Sequence, residues 1–184
     1  MEQTKSSPIR QLALCALFAA LTAVCSQIQI PLPMVPINLA LFAVHLSGAL
    51  LGAKYGTISM AVYVLLGAVG APVFTNFSGG LGVLVGKTGG YIVGYIAAAA
   101  IVGFFGRRWI ASFWKLCLAM TAGALACYAV GTVWFMVVTH LDVWTSLVYC
   151  VFPFLIGDVV KIAFAAYLAK VLSARLAKSG LAIG

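Results

Sequence analysis

INLALFAVHLSGALLGAKYGTISMAVYVLLGAVGA, residues 37–71, lies between Pro36 and Pro72 and carries one formal charge, Lys54. As a single helix these 35 residues would reach about 52 Å, against a bilayer hydrocarbon core of about 30 Å. The run must turn back on itself. Gly52-Ala53-Lys54-Tyr55-Gly56 is the one stretch with the composition of a turn. It predicts two shortish helices, over about 38–51 and 55–69.

On the N-terminal side, Pro31, Pro33 and Pro36 force an extended connection, since each removes a helical donor and restricts the residue before it. Before them an apolar run over 9–30, interrupted by little except Thr22, Ser26 and Gln27, suits one spanning helix. It is too long for a signal-peptide core and lacks a small-residue cleavage motif, so the first helix is expected to be retained. On the C-terminal side, glycines crowd residues 70–90 and mark irregular backbone. Val83, Leu84 and Val85 within that loop point to its folding into the protein. Further helices are expected over 88–105 and 116–138, then a short interfacial helix over 143–152 that Pro153 breaks. A last span carries Asp158 and Lys161 near its outer end and finishes near Arg175. The expectation is an all-α membrane protein, one domain over 1–184, with six transmembrane helices in one compact bundle.

Composition agrees. The chain is 64% hydrophobic and 8% charged, with a mean hydropathy of +1.15, where soluble domains are roughly 25% charged. Its 184 residues leave no room for a separate soluble catalytic domain. The net charge of +8 does not indicate nucleic acid, because the basic residues lie at membrane edges. With six spans, Lys5, Arg10, Lys54, Arg107, Arg108, Lys115, Lys170, Arg175 and Lys178 share one face, nine of the eleven basic residues. The positive-inside rule makes that face cytoplasmic, with both termini. The proline loop, the glycine loop and the Asp158–Lys161 pair then converge outside.

Asp158 and Lys161 are one turn apart in a mostly apolar stretch with no other charge over 143–169. A charge at mid-helix costs roughly 2.5–3.5 kcal/mol on insertion scales, and i, i+3 spacing lets the two neutralise each other. Such a pair marks a functional site or, more blandly, a helix-packing ion pair. Other constellations say less. Gly86-Lys87-Thr88 has three residues of a phosphate loop, but Leu81 stands where the first glycine belongs. His45 and His140 have no partner at a catalytic spacing, no HExxH or nucleophile elbow exists, and His45 is expected to be a hydrogen-bonded packing residue. Five cysteines sit in apolar runs without metal-ligand spacing, so neither disulfides nor a metal are expected. Ala13, Ala16, Ala20 and Ala23 form a small-residue stripe on the first helix, suited equally to internal packing and to a partner.

Five motifs occur in order: Val35-Pro36-Ile37-Asn38, Leu51-Gly52-Ala53-Lys54-Tyr55-Gly56, Gly67-Ala68-Val69-Gly70-Ala71-Pro72-Val73-Phe74, Ser78-Gly79-Gly80 with Gly86-Lys87-Thr88-Gly89-Gly90-Tyr91, and Pro153-Phe154-Leu155-Ile156-Gly157-Asp158-Val159-Val160-Lys161. Together they resemble the biotin-specific substrate-binding components (BioY family) of energy-coupling-factor transporters, over nearly the whole chain. Two positions depart from the family pattern. Lys87 stands where proline is frequent, and Asn38-Leu39-Ala40 replaces a Thr-x-Gln pattern, Asn38 substituting in part for the glutamine. The resemblance implies high-affinity biotin binding and uptake without catalysis or cofactor. It also implies a transmembrane coupling subunit and two cytoplasmic ATPases as partners, with Ala16 and Ala20 against the coupling subunit. Another vitamin, a small membrane enzyme using Asp158 and Lys161, or a purely structural subunit are the alternatives.

For biotin, Asp158 is the best buried acceptor for the ureido N–H groups. Lys161 and Lys87 are the only non-cytoplasmic cations for the carboxylate, aided by Asn76, Ser78 or loop N–H groups. Phe77, Tyr91 and Trp144 are expected to cover the apolar body.

Overall fold

The computed structural model describes residues 8–32 and 34–178; Lys5 and Pro33 lie outside the described residues. Among the described residues seven α-helices account for most of the chain: α1 (Pro8–Gln27), α2 (Ala40–Ala68), α3 (Leu81–Leu84), α4 (Gly89–Trp109), α5 (Phe113–Thr139), α6 (Val143–Cys150) and α7 (Phe152–Lys178). A two-residue ribbon, β1 (Gln29–Ile30) against β2 (Ile37–Asn38), closes the proline loop antiparallel, Gln29 opposite Asn38. A single 3-10 turn, Thr75–Phe77, interrupts the glycine-rich loop.

Four helices (α1, α2, α4 and α5) are long and apolar enough to cross a membrane. The pair α6 and α7, bent by 42°, makes a fifth candidate. The separate helices expected over 38–51 and 55–69 appear as the two arms of α2, which meet at Gly52, its one non-helical residue (φ 78°, ψ 177°). A left-handed glycine reverses the direction without a loop, so Lys54 and Tyr55 stay helical. The reversal is sharp: a methyl placed on Gly56 would sit 3.0 Å from Gly48 Cα, although eight residues of unbroken helix would separate them by about 12 Å. The other break falls at Val151 (φ −125°, ψ −57°), two residues before Pro153. Pro153 itself sits in the first turn of α7, where no donor is missed.

Backbones meet directly along α2, α4 and α5. A methyl on Gly103 of α4 would lie 2.3 Å from the Ala53 nitrogen, one on Gly48 2.8 Å from the Ala99 oxygen, and one on Gly123 of α5 3.1 Å from the Ala98 oxygen. Small residues at such crossings replace side-chain packing by backbone contact, the usual device in bilayers. Large side chains fill the space between the seams; Tyr63, Phe74, Phe135 and Met120 are fully buried, while Leu118, Leu125, Val133, Ile156 and Val159 stand exposed as a lipid-facing surface requires. His45 is fully buried as a packing residue, yet neither ring nitrogen has a hydrogen-bond partner among the described residues, which corrects the hydrogen-bonded role expected of it. The cysteines are all free. At the α5–α6 corner, His140 is left-handed (φ 55°) and Asp142 caps α6 by accepting the Thr145 N–H at 3.0 Å. Hydrogen bonds from Thr145 hold the Asp142 carboxyl below the usual carboxylate range.

Candidate ligand-binding site

A cavity of about 220 Å³ opens at the end of the bundle where the proline and glycine loops meet. Val35, Pro36, Asn38 and Leu41 form one side; Phe74, Thr75, Asn76, Ser78 and Val83 form the loop side. α4 contributes Thr88, Tyr91, Ile92 and Tyr95, and α5 and α7 contribute Cys127, Tyr128, Phe154 and Lys161. Most of the wall is apolar or aromatic with a few placed polar groups, as in small-molecule sites generally.

The polar groups form one chain. Lys161 Nζ lies 2.6 Å from Asp158 Oδ1, and donates to the Asn38 carbonyl at 3.2 Å. Tyr128 donates its hydroxyl to Asp158 Oδ2. Asn38 in turn donates to Thr75 Oγ1 at 2.9 Å and accepts the Ala40 N–H at 3.1 Å. Both carboxylate oxygens are thus engaged by protein, and Lys161, not Asp158, stands on the cavity wall. A buried pair of this kind offsets its desolvation only where further hydrogen bonds support it; Tyr128 supports the carboxylate and the Asn38 carbonyl the ammonium, while Asp158 Oδ1 has the ion pair alone.

Aromatic rings enclose the rest. Tyr91 and Tyr128 meet edge-on at 6.5 Å, Tyr128 and Phe154 at 6.2 Å, and Tyr63 and Phe74 at 5.5 Å. Tyr91 is fixed by a 3.1 Å hydrogen bond with Thr132 and by close approach to Gly131, where a methyl would fall 2.2 Å from its ring. The loop side is pinned from α1. Ser26 Oγ donates to the Val73 carbonyl at 2.7 Å, Gln27 Nε2 to the Phe74 carbonyl at 3.0 Å, and the Phe77 N–H to Gln27 Oε1 at 2.9 Å. Between those anchors Asn76 (φ 60°) and Phe77 (φ 52°) are left-handed. Such a conformation costs non-glycine residues about 1–3 kcal/mol each and persists only where the surroundings impose it.

Of the residues singled out in the sequence, Asn38, Asn76, Ser78, Tyr91 and Lys161 line the cavity, with Asp158 directly behind Lys161. Phe77, Lys87 and Trp144 do not line it. Phe77 is 72% exposed and Trp144 67%, its ring edge-on to Phe152 at 5.8 Å. Lys87 reaches Met34 Sδ at 3.9 Å on the exposed rim. Ala16 and Ala20 are exposed on α1, away from the cavity, beside Leu12 and Leu17. Sequence reasoning passed over Tyr95, Cys127, Tyr128, Phe74, Thr75 and Phe154. Spacing offered a signal for two of them: Tyr95 is i+4 from Tyr91, and Phe154 is i−4 from Asp158, each on the same helix face as its partner. Among the described residues no cluster of side chains suits a metal ion.

The BioY family model matches residues 1–178. The biotin transporter BioY of Thermotoga maritima is 42% identical over 161 residues, covering 88% of this chain and 94% of that protein. The biotin transporter BioY of Rhizobium etli is 32% identical over 174 residues, covering 88% and 91%. Among solved structures, the S-component for biotin from an ECF-type ABC transporter superposes with a TM-score of 0.84 at 26% identity, covering 92% of this chain and 93% of that one.

Proposed function

Since this chain belongs to the BioY family, we propose that it is the biotin-binding S component of an ECF-type transporter. It takes up biotin across the cytoplasmic membrane and performs no catalysis. The observation that carries this reading is an ion-paired ammonium, Lys161, presented to an otherwise apolar, aromatic-walled cavity. That combination suits a ligand with an apolar bicycle and polar groups at both ends.

In this reading Lys161 binds the ligand and Asp158 acts through it, pairing with the ammonium and orienting it. Asn38, Asn76 and Ser78 supply further hydrogen bonds and Tyr91 covers the ring system. Phe77 and Lys87 serve at the rim, Lys87 as a cation on the approach path. Counting the two arms of α2 separately and α6 with α7 as one gives six crossings, with both termini cytoplasmic and residues 1–184 forming one domain. No cofactor is required. Two cytoplasmic ATPases act through a transmembrane coupling subunit that docks on Ala16 and Ala20, which the exposure of that face supports.

Isothermal titration of detergent-purified protein, stripped of endogenous ligand, tests the reading directly. Saturable one-to-one binding of biotin, competed by no other vitamin in a panel, is the expected outcome. Preference for a different vitamin would reassign the substrate, and biotin recovered chemically altered would make the protein an enzyme.

A further inference from the structure

We propose that Gln27 is a positioning residue for the ligand site: its carboxamide clamps the 74–77 turn that forms the loop side of the cavity. The inference rests on the biotin reading above but on separate residues, since Gln27 does not line the cavity.

The geometry singles out this side chain. Its Nε2 donates to the Phe74 carbonyl and its Oε1 accepts the Phe77 N–H, so one amide grips both ends of the turn. The reverse orientation of the amide would set donor against donor and acceptor against acceptor. Asn76 lies between the two grips and Phe77 carries the second; both are left-handed and neither is a glycine. Released, that backbone relaxes toward right-handed conformations and withdraws Thr75 and Asn76, both of which line the cavity. The Asn38–Thr75 hydrogen bond would go with them, and with it the link to Lys161. The clamp itself is stiff, because Gln27 ends the unbroken helix α1 and donates back to the Ala23 carbonyl at 3.2 Å. α1 therefore sets the loop wall, and the wall decides how much of the protein is ready to bind.

The test is Gln27→Met, which keeps length and removes both grips. In ligand-free protein, amide exchange over residues 73–78 should rise while α4 and α5 keep the parent's protection. If the ready form falls to about 10% to 1% of molecules, the apparent Kd for biotin rises about 10- to 100-fold, and saturating biotin restores slow exchange in the loop. Unchanged exchange, or a biotin Kd within about twofold of the parent's despite a fast-exchanging loop, would overturn the proposal. So would a rise in exchange across all helices, which is general destabilisation. Should Gln27→Met not be recovered folded, Gln27→Glu keeps the acceptor for Phe77 and loses the donor to Phe74. It should give a rise of about 3- to 10-fold, as for one lost hydrogen bond, and none would be equally fatal. A parent protein that fails to bind biotin defeats the transport reading instead, and the ligand-free exchange still reports on the clamp.

Discussion

An ammonium held 2.6 Å from Asp158 and 3.2 Å from the Asn38 carbonyl keeps one N–H for the cavity. Substitutions along this chain should therefore differ in kind. Asp158→Ala leaves a buried ammonium without its counter-ion. Losing a charged partner costs about 1.5–3 kcal/mol, so titration should show biotin affinity reduced roughly 10- to 150-fold. Lys161→Ala should weaken biotin comparably, and comparing biotin with its amide then places the ligand: a smaller loss for the amide puts Lys161 at the carboxylate, an equal loss at the ureido ring or in a purely structural role. Tyr128→Phe removes only the hydroxyl that steadies Asp158, and a drop of about 3- to 10-fold is expected. If both alanine variants fold and bind like the parent, the pair is a packing feature alone. Asp158 and Lys161 were legible in the sequence because ions stand out against hydrocarbon. Tyr128 and Cys127 were not, since in a run of apolar residues a cavity-lining tyrosine or cysteine looks like core.

At the scale of elements, proline and glycine did most of the punctuation. The runs expected over 88–105 and 116–138 appear as α4 and α5 with ends shifted by a few residues, as helix ends commonly are. The turn near residue 52 was legible, but its economy was not: one left-handed glycine does what a five-residue turn was expected to do. Glycines inside helices carry a second meaning that one sequence alone does not disclose, namely close approach. Gly131 meets the Tyr91 ring, so Gly131→Ala must displace a residue of the cavity wall. Overpacking of this kind costs about 1–3 kcal/mol, and both the melting temperature of ligand-free protein and its biotin affinity should fall. Gly82, with nothing within 4 Å of an added methyl, is the matched control, and Gly82→Ala should change neither. Equal behaviour of the two variants would show that the seam at Gly131 has slack.

For the whole molecule, charge asymmetry predicts orientation. With native cysteines replaced, single cysteines at Arg108 and Lys178 should be labelled from the cytoplasm only, and one at Ser78 from outside only. Outside labelling at position 108 would invert the topology and the location of the site. The exposed face of α1 predicts a separation of binding from uptake. Ala20→Trp should abolish uptake in cells while purified protein binds biotin normally, because close helix approach tolerates no indole there; joint loss of both would assign the stripe to internal packing. The glycine seams have a consequence of another sort. Where backbone touches backbone, no side chain remains to rotate and absorb a displacement, so α2, α4 and α5 act as a stator. Ligand traffic is then left to the parts hung around that block: the two loops over the mouth and the bent α6–α7 arm. Release becomes the swing of a hinged wall against a fixed frame, and its rate a property of a few loop hydrogen bonds rather than of the bundle's cohesion.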